Sequence, residues 1–121
     1  MKVYTSYYNK IAKDPRGLVP VRISTSAPDW FPYICEELTE VYPGWDLVGP
    51  VKKGLMDLDE YTVKYKEKLN KLGREYLLNR LNEISEENGG RDLVLVCWEA
   101  PDKFCHRYLI MEFLGLEPAE I

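Results

Sequence analysis

The stretch Leu93–Ile110, LVLVCWEAPDKFCHRYLI, decides the fold. Residues 93–97 are an unbroken apolar run, as expected of a strand covered on both faces. At its end the chemistry changes to a thiol, an indole and a carboxylate: Cys97, Trp98 and Glu99. A loop then leads into a closing helix that starts near Pro101 or Phe104 and runs to Leu114, with Gly115 as its stop. Leu109, Ile110, Phe113 and Leu114 are spaced to face the sheet.

Working outward, residues 2–8 (KVYTSYY) are β-branched and aromatic and read as a strand. Residues 19–25 (VPVRIST) alternate, with Val19, Val21 and Ile23 on one face, and Pro20 suggests an edge position. Only about a dozen residues join these two strands, short for a crossover helix, so their pairing stays open. Between the second and third strands the spacing predicts helices. Residues 33–41 form a short one, stopped by Pro43-Gly44. From Asp57, an aspartate-led cap with Glu60 opens a helix through Leu58, Tyr61, Tyr65, Leu69 and Leu72. After a break at Gly73, a further helix over 74–88 ends at Gly89-Gly90. The sum is an α/β fold in one domain over 1–121: a small three-layer sandwich, with a mostly parallel short sheet flanked by helices.

Composition narrows the classes. A chain of 121 residues with 45% hydrophobic and 30% charged residues can build a core without disulfides. No apolar run approaches the ~18 residues that span a bilayer and no charged-then-apolar leader opens the chain, so a cytoplasmic protein without a membrane partner is expected. The net charge of -4 argues against wrapping duplex DNA by charge alone. The acidity is uneven: residues 1–32 hold five basic and two acidic residues, residues 33–60 two basic and seven acidic. A basic amino-terminal face with interleaved aromatics keeps single-stranded nucleic acid in view as a partner.

Three strand ends carry small polar groups: Thr5 and Ser6, then Ser24, Thr25 and Ser26, then Cys97 and Glu99. In open α/β sheets ligands sit beyond the carboxyl ends of the strands, so these groups would form a polar floor rimmed by Tyr7, Tyr8, Trp30 and Trp98. The bland reading is that Ser and Thr simply begin turns. Cys105, His106 and Arg107 fall at the start of the closing helix, where the dipole and free N–H groups favour anions and thiolates. Cys97 or Cys105 then reads as a nucleophile, Glu99 or His106 as the proton carrier, and Arg107 as a clamp for a small anionic ligand. Arg22, inside an apolar strand, is either a second cation aimed at the pocket or an edge residue reaching water. Cys97 is followed by Arg only at 107, which excludes the C-x5-R loop of cysteine phosphatases.

The structural alternatives stand beside these. Cys97 ends a buried strand as any small residue does, His106 pairs locally, and Arg107 holds Glu99 or Asp102 in an ion pair that fixes the loop. Cys35 reads as core. Neighbouring helical residues diverge by about 100°, so at most two of Cys105, His106 and Arg107 face one pocket. The same divergence, with no C-x2-C pair, argues against a zinc site, and no metal or cofactor is expected. A disulfide between Cys97 and Cys105 is geometrically conceivable but unexpected in a reducing compartment.

The opening VYTSYY, the segment RISTSAPDW, the helix EYTVKYKEKL and above all the Cys-x-Glu followed by Cys-His-Arg resemble the bacterial, archaeal and phage family known as domain of unknown function 488. The resemblance covers nearly the whole chain and implies a compact α/β domain with a polar site around Cys97, Glu99, Cys105, His106 and Arg107. Tyr65 and Arg22 match weaker positions of the pattern. Otherwise the Tyr61/Tyr65 stripe reads as core. Three functions follow as expectations: an enzyme acting on a phosphorylated or nucleotide-like ligand, a non-catalytic binder of nucleotides or single strands, and an interaction module or homodimer using Trp30, Phe31 and Trp45.

Overall fold

The computed structural model describes Met1–Ile121. Its centre is a four-stranded parallel sheet in the order β1-β4-β2-β3, with β1 at Val3–Tyr7, β2 at Val19–Arg22, β3 at Glu36–Glu37 and β4 at Leu93–Cys97. The apolar run of β4 is buried at every residue because it lies between β1 and β2 and is covered on both faces. Leu93, Leu95 and Cys97 join the large core, whereas Val94 and Val96 join a small one on the other face. Burying such side chains contributes about 1.5–3 kcal/mol each, which makes β4 the anchor of the fold. The α/β layering matches the expectation from sequence.

The first two strands do not pair at all, because β4 is inserted between them. A short helix α1 (Tyr8–Lys13) makes the crossover and lays Tyr8 and Ile11 on the small face. Strand β2 is interior rather than an edge. Its Val19 N–H donates to the Asp92 carbonyl, and the N–H of Ile23, just past its end, to the Val96 carbonyl, so the odd-numbered amides face β4. Pro20 therefore points its missing donor toward β3, which pairs only from Val21 onward, and no ladder bond is lost.

Residues 33–41 form no α-helix. Glu36–Glu37 is β3, and a single 3-10 turn follows at Thr39–Val41. The pairing of this segment with β2 overrides its weak helical spacing. The sequence also hides α2 (Trp45–Lys52), since Pro50 lies inside it. Gly44 enters α2 at φ 85°, a conformation that favours glycine, and a Cβ there would lie 2.6 Å from the Asp46 carboxylate.

The long helices fall where their periodicity places them. Helix α3 (Leu58–Leu72) is capped by Asp57, whose carboxylate accepts the Glu60 N–H at 2.8 Å. Gly73 separates it from α4 (Arg74–Glu87). The closing helix α5 (His106–Leu114) begins later than expected and stops at the left-handed Gly115. No helix is long and apolar enough to cross a membrane.

Candidate functional site

Parallel strands deliver their carboxyl ends to one side of the sheet, and adjacent strands β2 and β4 send their next segments over opposite faces. The segment after β2 packs Ala27 and Phe31 on the small face, while β4 leads to α5 on the large one. A crevice opens between such diverging connections. Here it is a cavity of about 590 Å³ lined by Ser24, Thr25 and Ser26 beyond β2, and by Trp98, Glu99, Cys105 and His106 beyond β4. That volume suits a small organic ligand.

Most of the remaining wall comes from α2 and α3, with Phe104 from the loop. Trp45, Val48, Val51 and Lys52 line one side, and Leu58 and Tyr61 another. The Thr25 hydroxyl accepts the Gly44 N–H at 2.9 Å and so ties the β2 loop to the start of α2. Trp45, Tyr61 and Phe104 were not legible as pocket residues. The available signal was Leu47, Val48 and Val51 at helical spacing with Asp46 and Lys52 at the two ends, obscured by Pro50. Tyr61 makes an edge contact with Phe104 and stacks on Tyr65. Trp98 donates its indole N–H to the Ser26 carbonyl at 2.9 Å, which fixes the lip of the cavity.

At the floor, Cys105 is not helical. It has φ -153° and ψ 142° and precedes the first residue of α5. The 100° divergence of neighbours on one helix therefore does not apply, and the Cys105 Sγ lies 3.9 Å from His106 Nδ1. The Sγ atoms of Cys97 and Cys105 meet at bonding contact, while their Cα atoms stay 7.7 Å apart. Sequence reasoning expected two separate thiols. The backbone separation is wider than the ~4.4–6.8 Å a relaxed disulfide spans, so the chain aims two sulfurs at one point without the spacing of a settled bridge. Glu99 reaches the same group, its Oε2 lying 3.4 Å from Cys97 Sγ.

His106 is buried, with Nε2 at 2.7 Å from the Ile23 carbonyl. A carbonyl only accepts, so Nε2 carries the proton and Nδ1 presents a lone pair. Burial lowers its pKa to about 4, and the Arg107 charge pushes the same way. The ring is neutral at pH 7. It also packs edge-on against Tyr65.

Of the remaining candidates, Arg107, Arg22, Thr5, Ser6 and Tyr65 do not line the cavity. Arg107 has no exposed surface. It donates to both carboxylate oxygens of Glu120, at 3.1 and 3.0 Å, to Tyr108, and through Nη1 to Cys97 Sγ at 3.4 Å. Its ion-pair partner is Glu120, not Glu99 or Asp102. Arg22 donates to the carbonyls of Ser24 and Thr25 and pairs loosely with Glu37. Thr5 and Ser6 give their hydroxyls to Glu120 and Ile121. Tyr65 donates to the Val41 carbonyl at 2.6 Å, and burial raises its pKa. Ser24 bonds to the Tyr8 hydroxyl and donates to the Ser26 carbonyl. Of the rim expected from sequence, Trp98 lines the cavity, Tyr8 is buried behind it, and Trp30 is exposed elsewhere. Cys35 is half-buried beside the small core, and burial pushes its thiol up to about 11.

The family described as the active DUF488-N3 subclade matches residues 11–117. No curated protein and no solved structure matches the chain significantly. The match spans the cavity, both cysteines and His106, and the chain belongs to the DUF488 family.

Proposed function

We propose that this DUF488 member is a small enzyme that takes a nucleotide-like ligand into the cavity beyond β2 and β4 and works on it at the Cys97/Glu99/Cys105/His106 floor. One observation carries the reading. The aromatic side chains of Trp45, Trp98, Tyr61 and Phe104 surround a carboxylate, a cysteine sulfur and a neutral imidazole in one cavity. Flat aromatic walls suit a base, since every base offers a π-face. Lys52, beside Trp45 on the outer wall, is the cation available to a phosphate. The role of anion clamp passes from Arg107 to Lys52 in this reading, because Glu120 already occupies the Arg107 guanidinium. Glu99 is exposed to the cavity and is the group best placed to move a proton.

Tryptophan fluorescence tests the binding half, because Trp45 and Trp98 both face the cavity. Titration with nucleoside monophosphates is expected to quench it saturably. Trp98→Ala is expected to weaken binding about tenfold, within the ~1–3 kcal/mol that a stacked base contributes. Chromatography of the incubated nucleotides tests turnover. Glu99→Gln is expected to bind and not convert. Absence of a saturable response to any nucleotide sinks the proposal.

A further inference from the structure

We propose that Cys97 Sγ, Cys105 Sγ and His106 Nδ1 together hold one divalent transition-metal ion of the zinc class at the floor of the cavity. The inference deepens the enzymatic reading above; it rests on that reading for what the ion does, not for whether it binds.

The donor atoms of the three residues lie within 4.8 Å of one another, and all three residues are buried. A tetrahedral zinc ion with bonds near 2.3 Å to sulfur and 2.0–2.1 Å to nitrogen sets its donors about 3.5–3.8 Å apart. The Nδ1–Sγ separation of 3.9 Å is only a few tenths of an ångström longer than this. The two sulfurs must part from contact, and Cα atoms 7.7 Å apart leave them room to do so about a central ion.

The surroundings suit metal binding better than they suit a lone thiol. Nε2–H of His106 donates to the Ile23 carbonyl, fixing the tautomer that leaves Nδ1 as a free donor. Metal-ligating histidines are held by this kind of outer bond. Buried Nδ1 has no hydrogen-bond partner except the Cys105 sulfur. Arg107 Nη1 lies 3.4 Å from Cys97 Sγ and favours its thiolate once the pair is reduced. Two thiolates neutralise a dication, and the Arg107 charge is already matched by Glu120, so the buried cluster balances. Sulfur and imidazole select zinc-like ions over magnesium or calcium. The ion binds the reduced pair: once an external thiol reductant has supplied two electrons to any Cys97–Cys105 bond, binding displaces the two thiol protons to solvent with no further redox change.

Three protein ligands leave a fourth position. Cys105 and His106 line the cavity, and Glu99 lies beside Cys97, so that position opens toward the ligand space next to a carboxylate. This is the arrangement of a metal that polarises a ligand or a water, with Glu99 as its proton partner, rather than of one that only closes a fold.

The test uses the full chain, reduced, stripped with chelator and titrated anaerobically with cobalt(II) in the absence of nucleotide. A one-equivalent endpoint with a thiolate-to-cobalt charge-transfer absorption is expected, reversed by zinc. Cys35→Ser is expected to leave the titration unchanged, and Cys97→Ser or Cys105→Ser to roughly halve the charge-transfer intensity. His106→Gln is expected to weaken binding at least ~10-fold, the loss that even outer partners of a metal cause. Should a serine variant fail to fold, judged by circular dichroism, the wild-type titration still decides. No charge-transfer band in the wild type overturns the proposal, as does a Cys97–Cys105 bridge that re-forms with metal present. Cobalt binding without nucleotide quenching upholds the metal site and removes only the nucleotide reading.

Discussion

At the end of β1, Thr5 and Ser6 give their hydroxyls to the carboxy-terminal tail, whereas beyond β2 the equivalent Ser24 and Ser26 line a cavity. The residue types are the same; what differs is the segment that arrives next. The tail runs alongside β1, with the Thr5 N–H donating to Ala119 and the Ile121 N–H donating back to Thr5. It carries Glu120, which takes both the Thr5 hydroxyl and the Arg107 guanidinium. Beyond β2 and β4 no such strap arrives, and the helices that do, α2 and α3, bring aromatic walls instead. A polar strand end is thus a site only if the rest of the fold leaves it uncovered.

The closed end offers the largest effect. Arg107 has no exposed surface, while Glu120 is partly exposed and can turn to water. Glu120→Ala strands a buried cation and is expected to cost about 3–5 kcal/mol in urea unfolding. Arg107→Met leaves only the partly solvated carboxylate and is expected to cost less than about 2 kcal/mol. The reverse order would break the account of the tail as the partner of a buried charge.

The open end gives a pH effect of slightly smaller size. His106 titrates near 4 when folded against an ordinary value of 6.5. Above pH 6.5 it is neutral in both states. As pH falls from 6.5 toward 4 the unfolded chain takes up a proton that the folded one refuses, so stability drops; below 4 the slope from this group ends. The loss sums to on the order of 3 kcal/mol. Denaturant titrations with chelator present should show it, and His106→Gln should remove this slope.

The smallest effects sharpen the contrast between the hydroxyls themselves. Thr5→Val removes a bond to Glu120 inside the closed end and is expected to cost about 1 kcal/mol. Ser26→Ala at the cavity lip is expected to stay within about 0.5 kcal/mol, because the Ser26 carbonyl still accepts the Trp98 indole. Equal losses would mean that the lip hydroxyl stabilises the fold as much as the one beneath the tail.

Composition and periodicity determined the parallel-type central strand Leu93–Cys97, the capped helix after Asp57, the break at Gly73 and the stop at Gly115. Each follows from local physics: an apolar run, a carboxylate cap, and glycines at positive φ. They also brought Cys97, Glu99, Cys105 and His106 into one neighbourhood, because a strand end and a helix start are close in the chain. The tertiary structure alone decided the rest. Strand order put β4 between β1 and β2, and pairing with β2 drew Glu36–Glu37 into a strand. A single extended residue, Cys105, let neighbours converge that a helix would have spread apart. The fate of Arg107 hung on Glu120, thirteen residues away in sequence and on a tail with no periodic signal. Long-range partners satisfy buried charge, and spacing along a chain does not carry that information.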